Sequence, residues 1–427
     1  MSSTTSTRSA ELGRRARDIT PGGVHSNVRL AGPMVFFERG AGAWLFDVDG
    51  HTYVDYLLGQ GPNFLGHAPA RVNQAVADAA RRGSVFGAQH VLENRAGELF
   101  LDTVAWAERV RFGLTGTEAD QAALRLARAA TGRTKFVRFE GTYHGWLDNV
   151  LVANVAGVNA PASAGQLAHH LDDTYFVPYN DADALAAALA LHDDVAAVVV
   201  EPVMCNSGAI PPRPGYLERV RQLCDQHGVV LIFDEVITGF RVALGGAAER
   251  FGVTPDLAVY GKAMAGGWPV SALAGRAALM DMFARDVNHS GTFNSSMAAC
   301  AAVIETLTIL REDPPYARLE AFGSTLMDSI QELGAKHGLP VRTQGLPMAF
   351  HVSFGDPEPI HEHAGLARLD LGRYARFAKT LVRHGLWVAG RGIWYVSTRH
   401  GDDELTVTLE RLDAALADEA SESLGPG

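Results

Sequence analysis

The chain has 427 residues, of which 47% are hydrophobic and 20% are charged. This composition is typical of a globular protein and excludes a disordered one, and the length predicts two domains or one large domain with a smaller one packed on it. The net charge of −11 disfavours a nucleic-acid-binding or anionic-membrane surface, and no apolar run is long enough to predict a membrane span.

The cysteine and histidine patterns predict neither a disulfide framework nor a metal site. Cys205, Cys224 and Cys300 form no CxxC pair, which is typical of reduced thiols in a cytoplasmic protein. His361-Glu362-His363 is the one close cluster of metal-ligand residue types, and its setting favours a solvated loop. The segment 1–8 has no apolar core and predicts a frayed tail rather than a signal peptide. We therefore expect a cytoplasmic protein without a bound metal.

The N-terminal part predicts a small antiparallel unit. A short helix near Ser9–Asp18 precedes Gly40–Leu58, whose apolar and polar residues alternate around the hairpin signal Asp49-Gly50. Residues 1–60 are therefore expected to join a smaller α+β domain.

The middle of the chain, from about Arg109 to Arg276, alternates short apolar runs with amphipathic helices. One such helix is Tyr216–His227, whose apolar residues recur at helical spacing and which Gly228 ends. The alternation predicts an α/β fold, with a mostly parallel sheet sandwiched by helices, in a large domain of residues 61–300. The predicted strands are Val110–Leu114, Lys135–Phe139, Ala196–Val200, Val229–Phe233, Leu257–Tyr260 and Ser271–Ala274.

The C-terminal part predicts the rest of the small α+β domain. We assign residues 301–420 to it and residues 421–427 to a disordered tail. The predicted elements are a long helix from about Met297, strands within Arg342–Phe354 and Leu386–Ser397, and a helix near Leu371–His384 between them.

The run Val229–Phe233 ends at Asp234, at the edge where open α/β sheets bind ligands. A carboxylate there needs a cationic partner, and the pyridinium nitrogen of pyridoxal 5'-phosphate is one that fits. Lys262 follows one αβ unit later, before Gly266-Gly267, and its amine would form a Schiff base with the cofactor aldehyde. Two unit charges about 4 Å apart interact by ~4 kcal/mol at an effective dielectric of about 20, enough to keep the ring nitrogen protonated. Most lysines are simply solvated, so the prediction of a cofactor site depends on Asp234 and Lys262 occurring together.

The segment Leu114–Asp120 predicts a phosphate site. It joins a strand to the amphipathic helix Glu118–Thr131, which Gly132 ends, and Thr117 stands three residues before Asp120, as in a capping box. Thr117 is thus the predicted N-cap, and the backbone N–H groups beyond it would bind an anion. Taken alone, an ordinary capped helix is the commoner explanation.

Two further strand ends carry aromatic and polar side chains. Tyr143 and His144 lie in a glycine-flanked turn, where Tyr143 is placed to stack on a planar cofactor ring, although such pairs are often structural. Glu201 and Asn206 follow the next strand and would hold a ring substituent or the Asp234 side chain. All these strand ends are expected to meet at one edge of the sheet.

The ordered motifs of the chain resemble one family. Asp234-Glu-Val-Ile-Thr-Gly-Phe-Arg241, Gly261-Lys262 and Gly291-Thr-Phe293 are similar to motifs of the class III (ω-type) pyridoxal-phosphate-dependent aminotransferases. Within that family the chain most resembles glutamate-1-semialdehyde 2,1-aminomutase and the β-amino-acid (β-phenylalanine-type) aminotransferases. The resemblance covers residues 21–400 and implies the aspartate aminotransferase-like fold, fold type I. Further segments that follow the aminomutase pattern are Pro21–Arg29, Phe46–Gly50, Leu65–His67 and Phe240–Gly246.

The resemblance also implies a homodimer with active sites shared between the subunits. Lys262 would be the Schiff-base lysine and proton shuttle, and Asp234 the partner of the pyridine nitrogen. Arg29 matches an arginine that binds a substrate carboxylate, although a surface salt bridge is the alternative. The implied cofactor contacts are Gly116 and Thr117 with Thr292 of the partner subunit at the phosphate, Tyr143 and Val236 on the two ring faces, and His144, Glu201 and Asn206 around the ring.

Three departures from the aminomutase pattern bear on the substrate. Gln60, in Gly59–Pro62, stands where the aminomutase has a tryptophan, and the alanine-rich stretch Ala156–His170 replaces its gating loop. The aminomutase's Phe-Glu pair falls on Arg391-Gly392, so an acid is lost and an arginine is gained. Arg391 is either a second carboxylate clamp, as in some β-amino-acid aminotransferases, or a structural turn residue.

These residues predict a transaminase that moves an amino group from a carboxylate-bearing β- or ω-amino acid to a keto acid. An intramolecular aminomutase and an amino-acid racemase on the same fold stay open as alternatives, and a cofactor-free binding protein is a remote one. A transaminase needs two substrates, whereas a racemase needs no acceptor. We expect no nucleic-acid or membrane partner.

Overall fold

The computed structural model of the protein describes residues 7–155 and 158–423, within which there are sixteen strands and twelve α-helices. Parts of the predicted N-terminal tail, of the alanine-rich stretch and of the C-terminal tail lie outside these residues. The strands are β1 (Phe37–Ala41), β2 (Trp44–Asp47), β3 (Thr52–Asp55), β4 (Arg109–Gly113), β5 (Lys135–Phe139), β6 (Val152–Val155), β7 (Val158–Pro161), β8 (Thr174–Val177), β9 (Val195–Val200), β10 (Val230–Glu235), β11 (Leu257–Tyr260), β12 (Ser271–Gly275), β13 (Val341–Leu346), β14 (Ala349–Phe354), β15 (Leu386–Trp387) and β16 (Ile393–Tyr395). The helices are α1 (Arg8–Ile19), α2 (Ala70–Ala80), α3 (Val91–Thr103), α4 (Gly116–Thr131), α5 (Ala182–Leu191), α6 (Tyr216–His227), α7 (Gly246–Phe251), α8 (Ala277–Met280), α9 (Met297–Glu312), α10 (Tyr316–Lys336), α11 (Leu371–Arg383) and α12 (Asp402–Ser423).

A seven-stranded sheet lies at the centre, with its strands in the order β4-β12-β11-β10-β9-β5-β8. Strand β12 runs antiparallel to both of its neighbours, and the remaining pairs are parallel. The predicted fold class, α/β with a mostly parallel central sheet between helices, is confirmed. Parallel strands all point their carboxyl ends to one edge, which is where the polar residues after β5, β9 and β10 meet.

Successive residues of the central strands pack into opposite helical layers. Phe233 of β10 belongs to a buried cluster that includes residues of α6 and α9, whereas its neighbour Ile232 packs with residues of α4. Every residue of β9 to β12 is buried as a result. A strand covered on both faces needs apolar residues throughout, which explains the uninterrupted apolar runs in this part of the sequence.

The six predicted strands are all present in this sheet: two have the predicted bounds, and the ends of the other four shift by at most two residues. Strand β10 continues past the predicted end and includes Asp234 and Glu235. Helix α6 occupies the predicted range, and Gly228 ends it in a left-handed conformation with φ of 60°. The edge strand β8 has no counterpart in the prediction, because its short sequence Thr-Tyr-Phe-Val is only partly buried and pairs with β5 alone.

Elements from both ends of the chain form the smaller sheets. The two-residue strand β15 pairs in parallel with β3 and extends the antiparallel sheet β1-β2-β3. Strands β13, β14 and β16 form a second antiparallel sheet, against which α10 and α11 pack. The N-terminal hairpin thus joins C-terminal elements, whereas the domain limits at residues 60 and 300 stay predictions.

Two helical predictions at the C-terminal end are wrong. The long helix expected from Met297 is two helices, α9 and α10, because Pro314 and Pro315 interrupt it and proline cannot supply the helical N–H group. Helix α12 runs to Ser423, so residues 421–423 are not the disordered tail that the sequence predicts; the helix packs against α10 and α11. None of the helices within the described ranges is sufficiently long and apolar to cross a membrane.

Candidate active site

Segments far apart in the sequence meet in a cavity of about 180 Å³ at the carboxyl edge of the central sheet. Eight of the ten predicted cofactor residues line it, and a ninth, His144, is hydrogen-bonded to one of the eight. The exception is Thr292, which is exposed and does not line this cavity. The lining residues are Gly116, Thr117, Asp120, Tyr143, Gly145, Glu201, Val203, Asn206, Asp234, Val236, Ile237, Thr238 and Lys262.

Asp234 is a buried carboxylate held in a fixed orientation. Its Oδ2 lies 2.7 Å from Nδ1 of His144, and its Oδ1 accepts a hydrogen bond of 3.1 Å from the backbone N–H of Val236. Burial lowers the pKa of His144, so the ring is neutral and donates its Nδ1 proton to the carboxylate. The carboxylate therefore enters the cavity as an oriented hydrogen-bond acceptor, as a protonated ring nitrogen requires.

Lys262 begins a short 3₁₀ turn directly after β11 and has a φ of 42°, which side-chain-bearing residues rarely adopt. The cavity withholds water from its amine, and this desolvation lowers the pKa of Lys262 to about 8, although the negative charges of Asp234 and Glu201 act in the opposite direction. A larger fraction of the amine is consequently neutral and nucleophilic at physiological pH.

The predicted N-cap of α4 is wrong by two residues. Thr115, not Thr117, caps the helix: its Oγ1 accepts from the Glu118 N–H at 3.2 Å, and Glu118 Oε2 accepts from the Thr115 N–H at 3.1 Å. The partner acid in the capping box is thus Glu118, and Asp120 is free to point elsewhere. Gly116 and Thr117 become the first two helical residues, whose N–H groups have no acceptor within the helix and can bind an anion.

Two glycines make room at this helix start. A Cβ atom on Gly116 would lie 3.0 Å from Cγ2 of Val236, and one on Gly145 would lie 2.6 Å from Oγ1 of Thr117. Either side chain would narrow the passage between the helix start and the strand ends. The absence of side chains at both positions leaves the backbone open to a phosphate group.

Glu201 fixes two other residues of the cavity wall, Tyr143 and Asn206. Its Oε1 accepts from the backbone N–H of Tyr143 at 2.7 Å, and its Oε2 accepts from Nδ2 of Asn206 at 3.2 Å. Burial, with the nearby charge of Asp234, raises the pKa of Glu201 to about 7. Tyr143 is 47% exposed, so it has free area at the cavity edge for a planar ring.

Two functional residues were not predicted from the sequence. Asp120 lines the cavity and is buried, and its Oδ1 has no hydrogen-bond partner among the described residues. Burial and the charges of Asp234 and Glu201 raise the pKa of Asp120 well above its usual range, which favours the protonated form of its carboxyl group. Arg138 is also buried and donates to the carbonyls of Thr142 and Val150, which fixes the loop that carries Tyr143.

The sequence does contain a pattern that could have identified Asp120. It lies on the same face of α4 as the buried residues Ala119, Ala123 and Leu124. Because burying an unpaired acid costs free energy, an acid on an apolar helix face indicates a functional site. The Asp120 carboxylate, the His144 ring and the Asp234 carboxylate have ligand atoms within 4.8 Å of one another. This cluster coincides with the cofactor cavity.

Of the three predicted substrate residues, Arg391 and Gln60 lie near the cavity and Arg29 does not. The positive charge of Arg391 contributes to lowering the pKa of Lys262, so Arg391 is within electrostatic reach of the cavity. Gln60 has a φ of 75° and a buried Oε1 without a described partner, and a Cβ on its neighbour Gly61 would lie 3.5 Å from Cδ of Lys262. Arg29, by contrast, is exposed on a 3₁₀ turn and does not line the cavity.

The cavity fits pyridoxal 5'-phosphate. It offers an amine of lowered pKa at Lys262, an oriented carboxylate at Asp234, a glycine-lined helix start for a phosphate and an aromatic ring at Tyr143. Each of these groups matches a different part of the cofactor: its aldehyde, ring nitrogen, phosphate and ring face. A chance cavity would rarely supply all four.

Comparisons with known proteins agree with this fit. Residues 26–418 match the family model of the class III aminotransferases. Glutamate-1-semialdehyde 2,1-aminomutase from Rhodopirellula baltica is 40% identical over 385 residues, which cover 88% of each chain. An omega-transaminase from Sphaerobacter thermophilus superposes with a TM-score of 0.91 at 30% identity, covering 97% of this chain and 98% of that one. A beta-phenylalanine aminotransferase from Variovorax paradoxus has a TM-score of 0.86 at 30% identity, with coverage of 96% and 93%. The chain therefore belongs to the class III aminotransferase family and is a pyridoxal-phosphate-dependent enzyme.

Proposed function

We propose that this enzyme is a transaminase whose amino donor is a β- or ω-amino acid and whose acceptor is a keto acid. The observation that supports this choice is Arg391, a cation in a turn that packs against the cavity wall, in the pair Arg391-Gly392 where the aminomutase pattern has Phe-Glu. A guanidinium is well suited to bind a donor carboxylate through two parallel hydrogen bonds.

Each side chain of the cavity then has a distinct task. Lys262 Nζ would bind the cofactor and, once an amino donor has displaced it, would take up and return the proton of the substrate carbon. Asp234, oriented by His144, would favour a protonated ring nitrogen, and Gly116 and Thr117 would hold the phosphate. When bound, the cofactor supplies an electron-withdrawing ring that stabilises negative charge on the substrate carbon.

The ring itself is held between side chains. Tyr143 would pack on one face and Val236 on the other, and Asn206, fixed by Glu201, is placed to contact a ring substituent. Orientation matters here because the bond to be broken must stand perpendicular to the ring if the ring is to withdraw its electrons. Gln60 and Arg391 would set that orientation from the substrate side.

The proposal includes a homodimer. Thr292 is exposed and outside the cavity of its own subunit, which is what a phosphate contact contributed to a neighbouring subunit requires. The adjoining surface carries two exposed apolar residues, Phe293 at 58% and Val91 at 75%. His90 Nε2 donates to the Ser295 carbonyl at 2.8 Å and so joins the two segments that carry them. Apolar surface of this kind favours association. Light scattering after size-exclusion chromatography should give twice the mass of the chain.

Intramolecular amino transfer is the second candidate. It is favoured by the 40% identity with an aminomutase over 88% of both chains. Two departures on the substrate side argue against it: Gln60 stands where the aminomutase pattern has a tryptophan, and Arg391-Gly392 replaces its Phe-Glu pair.

A donor-only half-reaction separates these candidates. The holoenzyme is mixed with single α-, β- and ω-amino acids and with simple amines, each as both enantiomers where they exist, and conversion of the cofactor to its aminated form is followed by absorbance. We expect conversion by β- or ω-amino acids and weak conversion by amines without a carboxylate. Conversion by carboxylate-free amines alone, or isomerisation of glutamate-1-semialdehyde without any acceptor, would contradict the proposal.

A further inference from the structure

The turn that carries Arg391 is held unusually close to strand β14. Arg391 and Gly392 lie between β15 and β16, and the Gly392 N–H closes the turn by donating to the Ala389 carbonyl at 3.1 Å. Gly392 has a φ of 92°, and a Cβ atom there would lie 2.4 Å from Nε2 of His351 and 2.6 Å from the Val352 carbonyl oxygen. Only glycine allows this approach.

Two consecutive carbonyl groups of the turn are bound by two consecutive residues of β14. The Val352 N–H donates to the Gly392 carbonyl at 2.8 Å. Nε2 of His351 lies 3.0 Å from the Arg391 carbonyl oxygen, and because a carbonyl can only accept, this nitrogen must carry the proton. The backbone from which the Arg391 side chain extends is therefore fixed on both sides.

A buried histidine at position 351 lowers stability relative to an apolar residue, unless its hydrogen bond to the Arg391 carbonyl has a use. The ring is 2% exposed, and burial lowers the pKa of His351 to about 4, so it is neutral at any working pH. Its other nitrogen, Nδ1, has no partner among the described residues. An aromatic ring would fill the same space beside Tyr374 without leaving a polar atom unpaired. What distinguishes histidine from phenylalanine here is the proton on Nε2.

The turn also lies against the wall of the cavity. Ala389, Ile393 and Tyr395 share one buried apolar cluster with Val203 and Ile237, and the last two line the cavity. A shift of the turn would thus move the guanidinium relative to the cavity.

We propose that His351 is a positioning residue for donor specificity, which fixes the Arg391 turn so that the guanidinium meets the donor carboxylate in one place. This inference rests on the proposed role of Arg391. His351 lines no part of the cavity, so its loss should weaken carboxylate binding and leave the chemistry at Lys262 unchanged. The loss of one neutral hydrogen bond to a turn predicts a rise of about five- to tenfold in KM.

The test compares variants of the holoenzyme with two donors of similar shape. 3-Amino-3-phenylpropanoate carries a carboxylate, and 1-phenylethylamine does not. We expect His351→Phe to raise KM for the first about five- to tenfold, with kcat for both donors and KM for the amine within about twofold of the parent enzyme. His351→Gln, which can restore an N–H donor, should recover much of the loss.

Two further variants separate the possible failures. Gly392→Ala, which pushes the turn away from His351, should cause the same selective rise in KM and serves if His351→Phe does not fold. Arg391→Ala should abolish the preference for the carboxylate donor, and Arg376→Ala, at an exposed arginine on α11, should not change it. Binding of 3-phenylpropanoate, followed by the cofactor spectrum, gives affinities that do not depend on turnover.

The outcomes are distinguishable. An unchanged donor preference in Arg391→Ala would overturn the proposed function, and the role of His351 with it. A strong effect of Arg391→Ala combined with an unchanged KM in His351→Phe and Gly392→Ala would overturn the role of His351 alone. An equal loss of kcat on both donors in His351→Phe would mark His351 as an ordinary core residue, and would also overturn it.

Discussion

The two ends of the active-site cavity are built in different ways. At the cofactor end, Asp234 and Glu201 belong to or directly follow buried strands of the central sheet, and their oxygens are fixed by several hydrogen bonds. At the substrate end, Gln60 and Arg391 lie in turns, and Arg391 is an exposed residue. Rigid strand ends suit a cofactor that every member of the family shares, whereas turns can change residue by residue and so set the substrate.

The largest expected effect is at the cofactor end. Lys262→Ala removes both the group that binds the cofactor covalently and the proton carrier, so turnover should fall by at least about 10³-fold. The absorbance spectrum should also lose the band of the enzyme-bound form. Lys379→Ala, at an exposed lysine on α11, is the matched control and should behave as the parent enzyme. Retained turnover in Lys262→Ala would mean that another amine serves the cofactor.

Asp234→Asn should have the next largest effect. The amide keeps the shape of the carboxylate but not its charge, so the ring nitrogen loses its proton and the ring withdraws electrons less well. We expect kcat to fall by about 10²- to 10³-fold, together with weaker cofactor binding measured by dialysis and fluorescence. If only cofactor affinity changed, Asp234 would act as an anchor and not as an electrostatic partner.

The rate at which the cofactor-free protein takes up pyridoxal phosphate should depend on pH. Only the neutral amine of Lys262 reacts, and its pKa is lowered to about 8, so the uptake rate should rise with pH and level off above that value. Asp234 holds this pKa up, so Asp234→Asn should shift the midpoint to lower pH. Stopped-flow absorbance between about pH 6 and 10 measures both. A midpoint near the ordinary lysine pKa would contradict the burial of the Lys262 amine in the cavity.

Asp120→Asn should have the smallest effect near neutrality. The raised pKa of Asp120 favours the uncharged form of its side chain, and the amide imitates that form. Turnover at neutral pH should stay within about twofold of the parent enzyme, and the two should diverge as the pH rises toward the point where Asp120 ionises. A large loss at neutral pH would show that Asp120 works as a carboxylate.

The same contrast explains what the sequence could predict. Asp234, Glu201 and Lys262 each stand at the end of an apolar run that predicts a buried strand. Because the carboxyl ends of parallel strands share one edge of the sheet, the meeting of these residues was predictable. The capping box at Thr115, by contrast, competes with an equally spaced alternative at Thr117, and only the packing of α4 shows that Asp120 is buried. Likewise, the hydrogen bond from His351 to the Arg391 carbonyl joins residues about forty positions apart, and no pattern of residue spacing in the sequence predicts such a contact.

The most direct test of the account is the donor-only half-reaction of the parent enzyme, Arg391→Ala and Arg376→Ala, each with 3-amino-3-phenylpropanoate and 1-phenylethylamine. We predict that the ratio of the two second-order rate constants falls by about 10- to 100-fold in Arg391→Ala, the range expected for a lost charge-assisted contact, and is unchanged in Arg376→Ala. A ratio that is the same in all three proteins would contradict the claim that this turn selects the donor by its carboxylate.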